Sequence, residues 1–143
     1  MSTDSKSDFS FSYAITTRWM DNDMFGHINN VNYYSFFDTV LNQFLIEEAK
    51  YNPHESPVIG LMIGSSCRYM QALSYPDKLI GAFRVNRIGN SSVEYAVGIF
   101  KGSEKTASAI GILTHVFVDR QTSVPIRIPQ AIRDVMQGAM KAQ

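Results

Sequence analysis

The sequence predicts an α+β domain built from one long helix and a following run of antiparallel strands. Three observations carry this prediction. From Asn30 to about Lys50, bulky apolar side chains recur at steps of three and four, the spacing of one helix face. From about 58 to 119 the pattern is strand-like, broken only at Tyr75-Pro-Asp, Gly89-Asn-Ser and Lys101-Gly-Ser-Glu-Lys. Helices and strands do not alternate, so a parallel nucleotide-binding sheet of βαβ units is not expected.

Taken in order, residues 1–8 are polar, lack the apolar stretch of a signal peptide and read as a disordered tail before a single domain over 9–143. Phe9, Phe11, Tyr13, Ile15, Thr17 and Trp19 alternate onto one face, which predicts a strand with one buried side. Met20 to His27 forms a loop, and Asn29 or Asn30 can cap the helix that follows. Along that helix Val31, Tyr34, Phe37, Leu41, Phe44, Leu45 and Glu48 trace the predicted stripe. Tyr33, Tyr34, Phe36 and Phe37 make its first turns apolar nearly all round, which suggests a helix wrapped by other structure. Tyr51 to Pro57 links to strands at about 58–71, 78–88, 91–102 and 106–119, the last two breaks between them having the character of hairpin turns. Prolines in 122–129 end the sheet, and 131–142 reads as a short helix.

Composition narrows the function. The chain has 143 residues, one domain's worth, and 45% of them are apolar, which argues against disorder. Thirteen basic and thirteen acidic side chains cancel, so nucleic-acid binding is not expected. No apolar run approaches the roughly 18–20 residues needed to span a bilayer. The single cysteine, Cys67, permits no internal disulfide and reads as a small buried hydrophobe, so a reducing, cytoplasmic setting is expected. Neither metal nor cofactor is expected: the three histidines show no ligand spacing. A Gly-x-Ser-x-Gly hydrolase elbow is absent.

The densest chemistry lies in Arg18-Trp-Met-Asp-Asn-Asp-Met-Phe-Gly-His-Ile-Asn-Asn30. Taken alone, Asp21, Asp23 and the asparagines are as well explained by a turn and a helix cap as by catalysis. His27 has a side chain suited to proton transfer at neutral pH, or to bracing the loop.

The pattern Asp21-x-Asp23-x-x-Gly26-His27-Ile28-Asn29-Asn30, followed by Tyr33-Tyr34 and Phe37, resembles the signature of the 4-hydroxybenzoyl-CoA thioesterase-like hotdog family. Arg87-Ile-Gly-Asn-Ser-Ser92, Gly111 through Asp119 and Pro125-x-x-Ile128-Pro129 extend the similarity in order over about residues 10–130. The resemblance implies an antiparallel sheet wrapped around one long central helix. It implies a homodimer, or a tetramer of such pairs, with sites between subunits. It also implies hydrolysis of acyl-CoA thioesters, with Asp23 as nucleophile or base, the Asn30 backbone N–H as oxyanion donor, Gly26 allowing close approach, and His27 in support. Asp21 is expected to brace the loop. Candidate acyl-pocket residues are Tyr33, Phe36, Phe37 and Met62 or Met70. For the phosphate-bearing CoA arm, the candidates are Arg68, Arg84, Arg87 and Lys101, with Ser91 and Ser92 in the turn between the third and fourth strands. That turn has donors but no charge of its own. A hydratase acting on enoyl thioesters and a non-catalytic acyl-binding module on the same scaffold are the alternatives.

Overall fold

A computed structural model describes residues 5–140. The elements are β1 (Phe11–Thr16), α1 (Asn30–Glu47), β2 (Val58–Tyr69), β3 (Lys78–Ile88), β4 (Ser92–Lys101), β5 (Ala109–Asp119) and α2 (Gln130–Gly138). The strands form one antiparallel sheet in the order β1-β3-β4-β5-β2. This is the hotdog arrangement, with α1 laid across one face. The two predicted hairpins join β3 to β4 and β4 to β5. β2 does not pair with its successor but crosses to the far side of β5, where no strand among the described residues pairs with its second edge.

Alternation along the strands decides what meets the helix. Phe83 of β3, Tyr95 of β4 and Leu113 and Phe117 of β5 are all buried against α1, which contributes Tyr33, Phe36, Phe37, Val40, Leu41, Phe44 and Leu45. Phe44 stacks on Phe83 with ring centroids 4.3 Å apart. At Gly111, a Cβ would come within 2.5 Å of the Phe37 ring, so only a glycine lets the helix lie this close to β5. The opposite face has a smaller core of Ala82, Phe100, Ala107 and Ile110, with Phe9 packed on it.

Several local expectations shift. Residues 1–4 of the predicted tail lie outside the described residues, whereas Lys6–Asp8 form a 3-10 turn, with the Lys6 N–H donating to the Lys105 carbonyl at 3.0 Å. β1 stops at Thr16, and Trp19 opens a second 3-10 turn with 76% of its surface exposed, so the alternating face is buried only at Tyr13, Ile15 and Thr17. Along α1 the buried stripe starts at Tyr33. Val31, Tyr34 and Glu48 are exposed: Val31 and Tyr34 lie around the helix from the buried stripe of Phe37, Val40 and Phe44, and Glu48 follows the last helical residue. α2 ends at Gly138.

Candidate active site

The loop between β1 and α1 is held by its own polar groups. Asp21 is buried, and its carboxylate accepts from the Arg18 N–H at 2.8 Å and from Arg18 Nε and Nη2 at 3.2 and 2.8 Å. The Asp21 carbonyl accepts from the Asn29 N–H and from Asn32 Nδ2. The loop is also tied to residues 73–75: the Ile28 N–H donates to the Leu73 carbonyl, Ser74 Oγ to the Gly26 carbonyl, and the Tyr75 N–H to Asn22 Oδ1. Among the described residues, every donor to the Asp21 carboxylate is supplied by Arg18, so this group fastens the loop.

Asp23 has a different setting. It is half-buried; Oδ1 accepts from the Phe25 N–H at 2.9 Å, and Oδ2 lies 3.5 Å from Asn29 Nδ2. The Asp23 N–H donates to the His27 carbonyl and the Gly26 N–H to the Asp23 carbonyl, closing a tight turn. Gly26 has φ +80°, and a Cβ there would meet nothing within 4 Å. The glycine is therefore required by backbone conformation, and not by crowding.

The helix start lies beside this carboxylate. Asn29 is the cap, its side-chain oxygen accepting from the Val31 N–H at 2.9 Å, while its carbonyl takes the Asn32 N–H. The Asn30 N–H, first of the helix, has no acceptor among the described residues. An unpaired donor at a helix N-terminus favours an anion or a developing oxyanion. A cavity of about 280 Å³ opens here, lined by His27, Ile28, Asn30, Tyr33, Tyr69, Met70, Gln71 and Ala72. The Tyr69 hydroxyl donates to the Asn30 carbonyl at 3.2 Å, and the Tyr69 ring meets Tyr33 edge-on at 5.1 Å. Burial pushes the nearby Cys67 thiol up, leaving it protonated at neutral pH.

Of the predicted residues, His27, Asn30, Tyr33 and Met70 line the cavity; Asp23 and Gly26 lie in the adjoining loop outside its lining, with Asp23 3.5 Å from the Asn29 amide, and the rest lie elsewhere. Phe37 is wholly buried against Gly111, and Phe36 is also in the core, so neither lines the cavity. Arg68 alternates with Tyr69 along β2 and lies on the opposite sheet face. Arg84 is buried on that outer face too, 4.5 Å over the Phe9 ring, with Nε on Asn86. Lys101 pairs with Asp77 at 3.8 Å. Arg87, 3.5 Å from Glu94, lies with Ser91 and Ser92 at the β3–β4 turn. β3 runs from the loop end of the sheet to this turn, and eleven residues at about 3.3 Å each separate the two by roughly 30 Å. Tyr69 and Gln71 are cavity residues that sequence periodicity did not single out. Arg133 reaches the turn from α2, 43 and 44 positions along the chain from its contacts, which no local pattern reveals.

A family model for the thioesterase-like superfamily matches residues 17–136, nearly the whole of the folded region. The chain belongs to the thioesterase-like superfamily. The PA5185 protein of Pseudomonas aeruginosa, known from its crystal structure, is 40% identical and superposes with a TM-score of 0.95 over 97% of each chain. A DHNA-CoA thioesterase from Staphylococcus aureus is 19% identical, with a TM-score of 0.76 over 89% of this chain and 86% of that one, a likeness of fold. The uncharacterized protein YsmA of Bacillus subtilis is 24% identical over 88 residues, 62% of this chain. The chain spans only 59% of that relative's length. The match to the superfamily takes in the whole loop from Arg18 to Asn30 and the turn at Gly89–Ser92. Among the described residues no helix is long and apolar enough to cross a membrane.

Proposed function

We propose that this thioesterase-like protein hydrolyses acyl-CoA thioesters to a carboxylic acid and free CoA. The observation that carries the reading is one short loop that holds the half-buried Asp23 carboxylate beside Asn29 and, at the next residue, the unpaired Asn30 N–H on the wall of an apolar cavity. Asp23 attacks the thioester carbonyl or takes a proton from the attacking water. The carbonyl oxygen, gaining charge, is met by the Asn30 N–H and the helix dipole behind it. Collapse of the tetrahedral species expels the CoA thiolate, which takes up a proton; where water attacked, the acid is released in the same step, and where Asp23 attacked, a water then cleaves the acyl-Asp23 anhydride to free the acid and restore the carboxylate. Gly26 gives the loop its shape and His27 lines the cavity in a supporting role. Tyr33 and Tyr69 line the cavity that takes the acyl group. The fold likeness to a thioesterase that acts on DHNA-CoA agrees with a CoA thioester substrate.

The reading includes a homodimer joined along β2. This strand has a free edge and exposes Leu61, Met62 and Ile63, the last by 62%. An unpaired apolar edge of this kind favours a second strand. Two-fold pairing of β2 edges runs them antiparallel, which brings the partner's β3–β4 turn to the end of the sheet that holds Asp23. Arg87, Ser91 and Ser92 then serve the CoA arm of the neighbouring site. A cytoplasmic setting suits the single thiol of Cys67.

Asp23→Asn tests the chemistry. The change preserves shape and the acceptor for the Phe25 N–H, so the melting temperature should stay within a few degrees while thiol release from an acyl-CoA panel falls by about two orders of magnitude or more. Turnover equal to the parent's removes Asp23 from the mechanism. Loss of enoyl absorbance from crotonyl-CoA without thiol release identifies a hydratase instead.

A further inference from the structure

We propose that Arg133, on α2, is a positioning residue that turns the β3–β4 turn into a face of hydrogen-bond donors for the phosphate-bearing arm of the substrate. The proposal rests on the CoA-thioester reading above. All four carbonyls of Gly89–Ser92 are engaged by the protein. Arg133 Nη2 donates to the Gly89 carbonyl at 2.8 Å and to the Asn90 carbonyl at 2.9 Å. The Asn90 carbonyl also accepts from the Ile128 N–H, the Ser91 carbonyl from the Phe117 N–H, and the Ser92 carbonyl from the Gly89 N–H.

The donors of the same turn are left open. Neither the Asn90 nor the Ser91 N–H has an acceptor among the described residues, and neither serine hydroxyl has a partner there. In a planar trans peptide the C=O and N–H point in opposite directions. Holding the Gly89 and Asn90 carbonyls on one guanidinium therefore aims the Asn90 and Ser91 N–H groups away from it. The cation behind the turn polarises both peptide units in the same sense, strengthening those N–H groups as donors. Gly89 adds a steric condition: a Cβ there would lie 2.7 Å from Ser92 Oγ, so glycine leaves that hydroxyl its place. Arg133 Nε is buried without an acceptor among the described residues, so the protein does not saturate the guanidinium. The turn that is uncharged in its own sequence thus acquires a positive charge from 43 residues further on. Glu94, the acid facing it from β4, is paired with Arg87.

The test compares two thioesters of one acyl group, the CoA ester and the N-acetylcysteamine ester, which lacks every phosphate. For Arg133→Met, KM for the CoA ester should rise about ten-fold or more with kcat within about two-fold, while kcat/KM for the short ester stays at the parent value. Arg133→Gln, which retains an amide donor, should show the same split and covers the case in which the methionine variant does not fold. An equal loss on both esters makes Arg133 a purely structural residue and overturns the proposal; so does an unchanged KM for the CoA ester. If the parent cleaves neither ester, the hydrolase reading fails by itself, and calorimetric titration of CoA decides the role of Arg133. Binding about ten-fold weaker in the variants supports it, and equal binding, or none by the parent, overturns it.

Discussion

Asp21 and Asp23 stand two positions apart and meet different surroundings. Three donors from Arg18 surround the Asp21 carboxylate, which is 1% exposed, whereas Asp23 keeps one close N–H and a distant amide. The Asp21 carboxylate is taken up by Arg18, whereas the Asp23 carboxylate keeps more of its lone pairs open, which the proposed reaction requires. The sequence alone could place both acids in the loop but could not divide these roles by periodicity, because both follow the same turn chemistry. His115 is a buried titratable residue. Burial pulls its pKa from 6.5 to about 4, against a smaller upward pull from Asp38, and its Nδ1 lies 3.3 Å from the Tyr95 hydroxyl. Between these two pH values the unfolded chain binds a proton that the folded chain refuses. Stability from this group is therefore full above pH 6.5, declines as pH falls toward 4 and levels off below it, by about 3 kcal/mol in all. Urea unfolding midpoints measured from pH 7.5 to 4 should show this slope in the parent and a flatter one in His115→Asn.

At the scale of elements, the separation of α1 from the sheet is set where side chains are missing. The Phe37 ring occupies the space that a Cβ at Gly111 would need, at 2.5–2.7 Å from three ring carbons. Gly111→Ala should thus cost about 1–3 kcal/mol by overpacking, read as a lower denaturant midpoint with an unchanged slope. The helix and the hairpin turns were legible because their signals are local: apolar steps of three and four, and turn residues between alternating runs. The buried stripe was less so. Val31 and Tyr34 fit steps of three and four as well as Tyr33 and Phe36 do, and only the packing of α1 on the sheet decides which pair is covered. Trp19 likewise continues the alternation of β1, yet the Arg18–Asp21 bonds fold the chain into a 3-10 turn there and leave the indole outside, edge-on to Tyr75 at 6.1 Å.

For the whole molecule, the free edge of β2 is the feature with the largest consequence. A single protomer holds Asp23 and the β3–β4 turn at opposite ends of its sheet, so the proposed site, which uses both, calls for two chains related by a two-fold axis. Ile63→Asp puts a charge in the middle of that edge. It should convert a dimer to a monomer by light scattering and remove hydrolysis of the CoA ester, with the melting transition still cooperative. A parent that scatters as a monomer and is fully active would rule out the shared site.

The sequence by itself determined the order and approximate bounds of the elements, the α+β class, and the loop in which Asp23, Gly26, His27 and Asn30 meet, because period, turn chemistry and capping act over a few residues. The tertiary structure alone decided the strand order that leaves β2 at an edge, the sheet face that carries Arg68, Arg84 and Arg87, the seat of Phe37 on Gly111 outside the cavity and the arrival of Arg133 at Gly89 and Asn90. These depend on pairings between distant segments. A side chain's face follows from the register of its strand and not from its own identity.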